Sequence, residues 1–241
     1  MSRTRQRSTK KHASEFVGSI LKLKPRVAAF DCDGTLWAGD AGEGFFSWEL
    51  DQGLVAPAIV TWARQRYADY RAGNVAEEDM CGEMVQIHAE MSENLVQTAA
   101  THYFDENFVR RIFPEMRDLV KKLQDQGCDI WAVSSTNEWV VRAGMRYFGI
   151  PQDRILAAAV EVRDGVISDH LVRVPSGDGK PNALRTVLDG RPLDAAFGNS
   201  KWDVAMLAMA TQGFAVNPNP DLEDVARQFG WRIYFPDTIE P

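Results

Sequence analysis

The chain has 241 residues, a formal net charge of −7 and 45% hydrophobic residues, which is the composition of an ordinary soluble globular protein. No apolar run approaches the roughly 18 residues that a membrane-spanning helix needs. Three cysteines, far apart in sequence, exclude a disulfide framework and a Cys-x-x-Cys metal site. We therefore expect a reducing, cytoplasmic location.

Charge is distributed unevenly along the chain. Of the 27 lysine and arginine residues, five lie within residues 1–14, so the remaining residues carry 22 basic and 34 acidic side chains, a net of −12. The basic start could touch nucleic acid or anionic lipid, or be a solvated tail. No apolar segment follows it, which argues against a secretory signal. Because the remainder is acidic, we expect no nucleic-acid partner. Because no apolar run is long enough to span a membrane, we also expect no membrane partner.

Hydrophobic periodicity predicts a short helix over residues 13–23 and a buried strand over residues 27–30. Residues 40–113 then have helical periodicity, with helices expected over 57–73 and 77–91. The second of these has a methionine-rich stripe, which is typical of a core face. We interpret this whole stretch as an all-helical insertion.

From Pro114 onward, predicted strands and helices alternate. The strands are expected at 129–133, 155–161, 166–171, 194–197, 213–216 and 231–235, with a hairpin at Asp164-Gly165. This alternation indicates an α/β fold with a doubly wound, parallel, Rossmann-like sheet. We divide the chain into a basic arm and short helix (1–24), a core domain (25–39 and 114–241) and a helical cap (40–113).

Two carboxylates follow the first predicted strand. Asp31 and Asp33 stand at i and i+2, so an extended segment places both on one side, where they can share a metal ion. Gly34 permits a tight turn at the strand end, and the N–H groups of that turn can face an anion. A calcium loop is the alternative that the spacing disfavours, and an ordinary acidic turn is the other.

Later strands also end in polar residues. Ser134 follows the strand 129–133, in a run that could instead only cap the next helix. Lys180 stands at the start of a helix and could reach into a site or point to water. Asn199 and Asp203 follow the strand 194–197. In an open α/β sheet, such turns meet at one edge.

This set of turns resembles the haloacid dehalogenase (HAD) superfamily of phosphatases over nearly the whole chain after residue 25. Residues 31–36 (Asp-Cys-Asp-Gly-Thr-Leu) are similar to its first motif, and Ser134 matches the second. Lys180 matches the third, and residues 198–203 (Gly-Asn-Ser-Lys-Trp-Asp) match the fourth. The helical cap and the hairpin before the lysine look most like the phosphoserine phosphatase-type subgroup.

The resemblance implies a magnesium-dependent phosphatase that acts on a small phosphorylated metabolite through an aspartyl-phosphate. Asp31 would be the nucleophile, and Asp33 would be the general acid and base. Ser134 and Lys180 would bind the phosphoryl oxygens. We expect Gly34, Thr35 and Ser135 to line the same site.

Magnesium would be held by the Asp31 carboxylate, the Asp33 backbone carbonyl and the fourth turn, through Asn199 or Asp203. The family usually has aspartate where this chain has Asn199. An amide oxygen can coordinate magnesium but brings no charge, so we expect weaker binding.

We expect the cap to contact the part of the substrate that lies away from the phosphate. Glu43 and Glu83 would face the cleft, where two acids attract an ammonium group and repel a carboxylate. We therefore expect a substrate that is neutral or cationic there, although Glu83 could equally lie on a solvated face.

Alternatives are a phosphoserine phosphatase proper and a catalytically impaired domain that binds phosphometabolites as a regulator. The protein could also form a homodimer.

Overall fold

The computed structural model describes residues 3–237, with side chains from residue 12 onward. Seven strands form one sheet: β1 (Val27–Phe30), β2 (Asp129–Asn137), β3 (Ile155–Arg163), β4 (Val166–Arg173), β5 (Ala195–Gly198), β6 (Gln212–Val216) and β7 (Arg232–Tyr234). Their order is β4-β3-β2-β1-β5-β6-β7. All neighbours are parallel except the β3–β4 hairpin at one edge. The predicted mostly parallel sheet and its hairpin are confirmed.

Ten α-helices lie within the described residues. They are α1 (Arg3–Leu21), α2 (Ala41–Asp51), α3 (Pro57–Arg71), α4 (Glu77–Gln86), α5 (Glu93–Asn107), α6 (Pro114–Asp125), α7 (Glu138–Met145), α8 (Gly179–Leu188), α9 (Val204–Met209) and α10 (Pro220–Phe229). None of the helices within this part of the chain is long and apolar enough to cross a membrane.

The central strand β1 shows why helices cover both faces of the sheet. All four of its residues are buried. Ala28 and Phe30 belong to one apolar cluster, whereas Val27 and Ala29 belong to another. Because successive side chains of a strand point to opposite faces, both faces need a covering layer. The doubly wound arrangement follows from this two-sided burial.

The first helix is longer than expected and begins at Arg3 instead of residue 13. Residues 3–12 contain neither glycine nor proline, so nothing in the sequence stops the helix from extending in the N-terminal direction. Its predicted apolar face is buried, with Ile20 fully enclosed.

Helices α2–α5 all lie between β1 and α6, as the helical insertion predicts. The predicted helix over residues 77–91 instead ends at Gln86. Glu90 adopts a positive φ of 70°, and its N–H donates to the Ile167 carbonyl of β4. The chain therefore leaves the helix early because its backbone pairs with the sheet edge. The division of the chain into domains stays a prediction.

Candidate active site

The turn after β1 is built around Gly34. Its φ is +74°, and a Cβ atom there would lie only 1.9 Å from the side-chain nitrogen of Asn199, so only glycine fits. The Gly34 N–H donates to the carbonyls of Trp37 and Gly39 at 2.9 and 3.1 Å. The turn itself therefore uses this one N–H, and the expectation that the N–H groups of the turn face an anion stays a prediction.

Asp31 lies directly after β1 and is buried. Its Oδ1 accepts a hydrogen bond from Lys180 Nζ at 2.7 Å, and its Oδ2 accepts one from the Thr35 hydroxyl at 2.8 Å. Burial raises the pKa of Asp31 to about 6, and Asp203 adds to the rise, while Lys180 opposes it. The carboxylate is thus held in one orientation and is mostly ionised at neutral pH.

Thr35 is completely buried and donates its hydroxyl to Asp31. It is not among the residues that line the cavity above Asp31. The position of Thr35 thus favours a role in orienting the Asp31 carboxylate over the expected direct contact with a substrate.

Asp33 occupies a different environment from Asp31. Its Oδ1 accepts from the Trp37 indole N–H at 2.7 Å, and its Oδ2 accepts from the Thr136 hydroxyl at 2.7 Å. Burial and the nearby Asp40 carboxylate raise the pKa of Asp33 to about 7, while its hydrogen bonds oppose the rise. Asp33 can therefore hold or release a proton near neutral pH, as a general acid and base must.

Lys180 joins two carboxylates beneath the site. It is 2% exposed and donates to Asp31 Oδ1 at 2.7 Å and to Asp203 Oδ1 at 2.6 Å. Burial alone would lower the pKa of Lys180, but Asp203 and Asp31 outweigh burial and raise it. The lysine is therefore a permanent cation beside Asp31, and it does not point to water.

Asp203 is fully buried, and both of its oxygens have partners within the chain. Besides Lys180, its carboxylate accepts from the N–H groups of Asn199 and Ser200, both at 2.9 Å. Asp203 thus shapes the fourth turn and is absent from the cavity lining, whereas Asn199 lines the cavity.

The oxygen-bearing residues after β1 and β5 are of a type that suits a hard cation, which prefers oxygen ligands. Within the described part of the chain, no group of three His, Cys, Asp or Glu side chains is arranged to hold a metal ion. The expected donors are instead of mixed type: the Asp31 carboxylate, the Asp33 carbonyl and the Asn199 amide oxygen, all from residues that line the outer cavity. Such oxygen donors match magnesium, which keeps several waters and needs few protein ligands.

The end of β2 completes the site. Ser134 is buried, and its Oγ accepts from the Thr136 N–H at 3.1 Å. Asn137 caps α7 by accepting hydrogen bonds from the N–H groups of Trp139 and Val140. The polar run at the end of β2 therefore also has the helix-capping role that the sequence left open. Sequence reasoning missed Thr136 as a partner of Asp33, although its hydroxyl at a strand end was a usable signal.

A cavity of about 400 Å³ lies over these turns, and we call it the outer cavity. Of the predicted site residues, it brings together Asp31, Asp33, Gly34, Ser134, Ser135, Lys180 and Asn199. The helical insertion contributes Tyr70 and Glu77, which hydrogen-bond to each other. The outer cavity is therefore walled on one side by strand ends and on the other by helices.

An inner cavity of about 160 Å³ lies among α2, α3 and α4. Five residues line both cavities: Asp40, Tyr70, Glu77, Ser135 and Thr136. The two cavities are therefore neighbours that share this wall, and the carboxylates that follow β1 line the outer one.

The two predicted cap acids differ in position. Glu43 lines the inner cavity and lies 4.0 Å from Arg71. Glu83 lines neither cavity, because Arg66 binds both of its oxygens at 2.7 Å. Its ion pair with Arg66 and its absence from both linings favour the alternative in which Glu83 does not face the substrate.

Comparison with known proteins shows similarity along most of the chain. A histidinol-phosphatase from Neisseria meningitidis is 27% identical over 217 residues, which cover 86% of this chain and 97% of that protein. A phosphoserine phosphatase from Mycobacterium tuberculosis is 28% identical over 135 residues, which cover 54% of this chain and 43% of that protein.

Solved structures show the same fold. A Bordetella pertussis protein of unknown function has a TM-score of 0.77 and 23% identity, with 87% of this chain and 98% of that chain covered. A substrate-bound phosphoserine phosphatase has a TM-score of 0.59 and 15% identity, with 90% and 94% covered. Residues 28–208, which carry all four turns of the site, match the haloacid dehalogenase-like hydrolases. The chain belongs to that family.

Proposed function

We propose that this hydrolase is a magnesium-dependent phosphatase that removes phosphate from a small monoester through an aspartyl-phosphate. The observation that carries the proposal is the difference between the two carboxylates. Asp31 is oriented by Lys180 and Thr35, whereas Asp33 has a pKa of about 7. Similarity to two curated phosphatases supports phosphoric monoester hydrolysis as the reaction class.

In the first half-reaction, an Asp31 oxygen attacks phosphorus, and the bond between phosphorus and the ester oxygen breaks. Asp33 gives its proton to the departing ester oxygen. In the second half, Asp33 takes a proton from water, whose oxygen attacks phosphorus and releases phosphate from Asp31. Lys180 balances negative charge near Asp31 throughout.

Asp31, Asp33 and Asn199 would hold the magnesium ion. When bound, the ion supplies positive charge that lets an anionic nucleophile approach an anionic phosphoryl group. Asp203 would act through the turn that it braces, because it is absent from the lining of the outer cavity, which Asp31 and Asn199 share.

The helices over residues 40–113 would act as a cap that closes the cleft. Tyr70 and Glu77 already line the outer cavity from that side. A closed cap excludes water and bulky substrates, so small metabolites should be favoured over folded phosphoproteins. Dimer formation and a cytoplasmic location stay predictions.

Two substrate classes deserve comparison. Similarity to a histidinol-phosphatase supports an amino-alcohol phosphate. Arg71 lines the inner cavity and could bind a carboxylate, which favours phosphoserine as the second candidate. Arg71 is, however, already 4.0 Å from Glu43.

The test is hydrolysis of p-nitrophenyl phosphate with and without magnesium, followed by a panel of phosphate monoesters. We expect turnover that requires magnesium and stops with a chelator. A folded protein that binds phosphometabolites but hydrolyses none of them would instead be the catalytically impaired regulator.

Changing Asn199 to aspartate should tighten magnesium binding. The substitution adds one negative charge to a residue that lines the outer cavity, so the half-saturating magnesium concentration should fall roughly tenfold, equivalent to about 1.4 kcal/mol. Activity titrations with magnesium measure this value. The exposed Asn182→Asp on α8 is the matched control. If Asn199→Asp behaves like that control, position 199 is not a magnesium ligand.

A further inference from the structure

A buried glutamate–histidine pair lies in the helical insertion, outside the reacting groups. Glu49 of α2 and His88 have side chains that are 1% and 0% exposed, and Glu49 Oε2 lies 2.7 Å from His88 Nε2. His88 Nδ1 is 3.0 Å from the Val85 carbonyl oxygen. Because a carbonyl can only accept, Nδ1 carries a hydrogen, and His88 is held from both sides.

The other carboxylate oxygen, Glu49 Oε1, has no hydrogen-bond partner among the described residues, although it is buried. A buried acceptor without a partner is costly and is rare in folded proteins. Glu49 also lines the inner cavity. An acceptor of this kind at a cavity wall points to a ligand that carries an N–H donor.

The rest of the inner cavity favours a cation. The rings of Phe45, Phe46 and Tyr67 line it, and ring faces attract positive charge. Three further acids also line it, namely Asp40, Glu43 and Glu77. Among the described residues of the lining, Arg71 is the single basic one, and it lies 4.0 Å from Glu43.

The position of this cavity determines which part of a substrate could enter it. It shares the wall formed by Asp40, Tyr70, Glu77, Ser135 and Thr136 with the outer cavity, where Asp31 lies. We take the leaving group of an ester bound at Asp31 to pass this shared wall into the inner cavity, where Glu49 lies. Glu49 itself would not contact the reacting atoms.

We propose that Glu49, positioned by His88, is the specificity-determining residue, and that it accepts a hydrogen bond from a protonated amine or imidazolium of the leaving group. The preferred substrates are then phosphate esters of cationic amino alcohols. This inference rests on the proposed phosphatase activity and narrows its substrate class.

The first test uses the unmodified protein. We compare kcat/KM for L-histidinol phosphate and phosphoethanolamine with that for N-acetylphosphoethanolamine, in which acetylation removes the charge. A charge-assisted hydrogen bond predicts a preference of roughly 10- to 100-fold for the cationic esters. Equal values for the charged and acetylated esters would overturn the proposal.

The second test is Glu49→Gln. Glutamine has the same shape, and its amide can donate to His88 Nε2, so folding is expected and is checked by Tm. The ratio of kcat/KM for phosphoethanolamine to that for p-nitrophenyl phosphate should fall roughly 10- to 100-fold. The matched control is Glu106→Gln, because Glu106 forms the other glutamate–histidine pair of the helical insertion, with His102, and is 63% exposed.

A folded Glu49→Gln protein with an unchanged ratio would contradict the role of Glu49. If the variant does not fold, the comparison of charged and acetylated esters on the unmodified protein still decides whether a cation is preferred, and equal values overturn the proposal. If no ester is hydrolysed at all, calorimetric binding of phosphoethanolamine and its acetylated form tests recognition alone. Preferential binding of the charged form without turnover would then contradict the phosphatase proposal and support the role of the inner cavity.

Discussion

Replacing Asp31 with asparagine should abolish both phosphate release and covalent phosphoryl labelling of the protein. The amide keeps the shape of the carboxylate, and Lys180 retains Asp203 as a partner, so the fold should survive. The amide nitrogen and oxygen are poor nucleophiles toward phosphorus. We expect a loss on the order of 10⁴-fold or more, as for removal of other essential nucleophiles.

The measurement is turnover of p-nitrophenyl phosphate, together with mass spectrometry of the acid-quenched reaction. Asp194→Asn is the control, because Asp194 accepts the N–H groups of Arg26 and Val27 at the other end of β1. Near-normal turnover or labelling in a folded Asp31→Asn protein would show that another residue is the nucleophile.

Changing Asp33 to asparagine should slow turnover by about 10²–10⁴-fold, which is the usual contribution of a general acid–base. Asparagine can keep accepting the Trp37 N–H with its oxygen, while its nitrogen donates to the Thr136 hydroxyl, which can rotate. The variant therefore removes proton transfer with little change in shape. Asp51→Asn on α2 is an exposed control.

The pH profile offers a second measurement on Asp33. The acid form is needed to protonate the leaving group, and burial raises the pKa of Asp33 to about 7. Wild-type kcat/KM should therefore fall as the pH rises through about 7, and the variant should lose this decline. If Asp33→Asn retains full activity with the same profile, Asp33 does not transfer the proton.

Local sequence determined the sheet and the placement of its polar turns. The four-residue strand Val27–Phe30 is apolar on both faces, so it had to be central in a sheet covered on both sides. Asp31 and Asp33 follow it at i and i+2, and in the folded chain both residues line the outer cavity. Because parallel strands present their carboxyl ends at one edge, the gathering of Ser134, Lys180 and Asn199 there was also predictable.

Contacts between residues distant in sequence were not predictable in this way. Glu83 of α4, for example, is engaged by Arg66 of the neighbouring helix α3. A helical pattern tells which face is apolar, but it does not tell which polar partner a neighbouring helix brings. For that reason the sequence left two positions open for Glu83.

The sequence by itself thus determined the fold class and the residues at the end of β1, because both depend on periodicity and short spacing. Only the tertiary structure decided which polar side chains have partners within the protein and which line a cavity. It engages both oxygens of Asp203, leaves Asn199 in the outer cavity, and brings Glu49 against His88 across 39 residues of chain. Hydrogen bonding is directional and short-ranged, so these assignments depend on packing between helices and strands that periodicity does not encode.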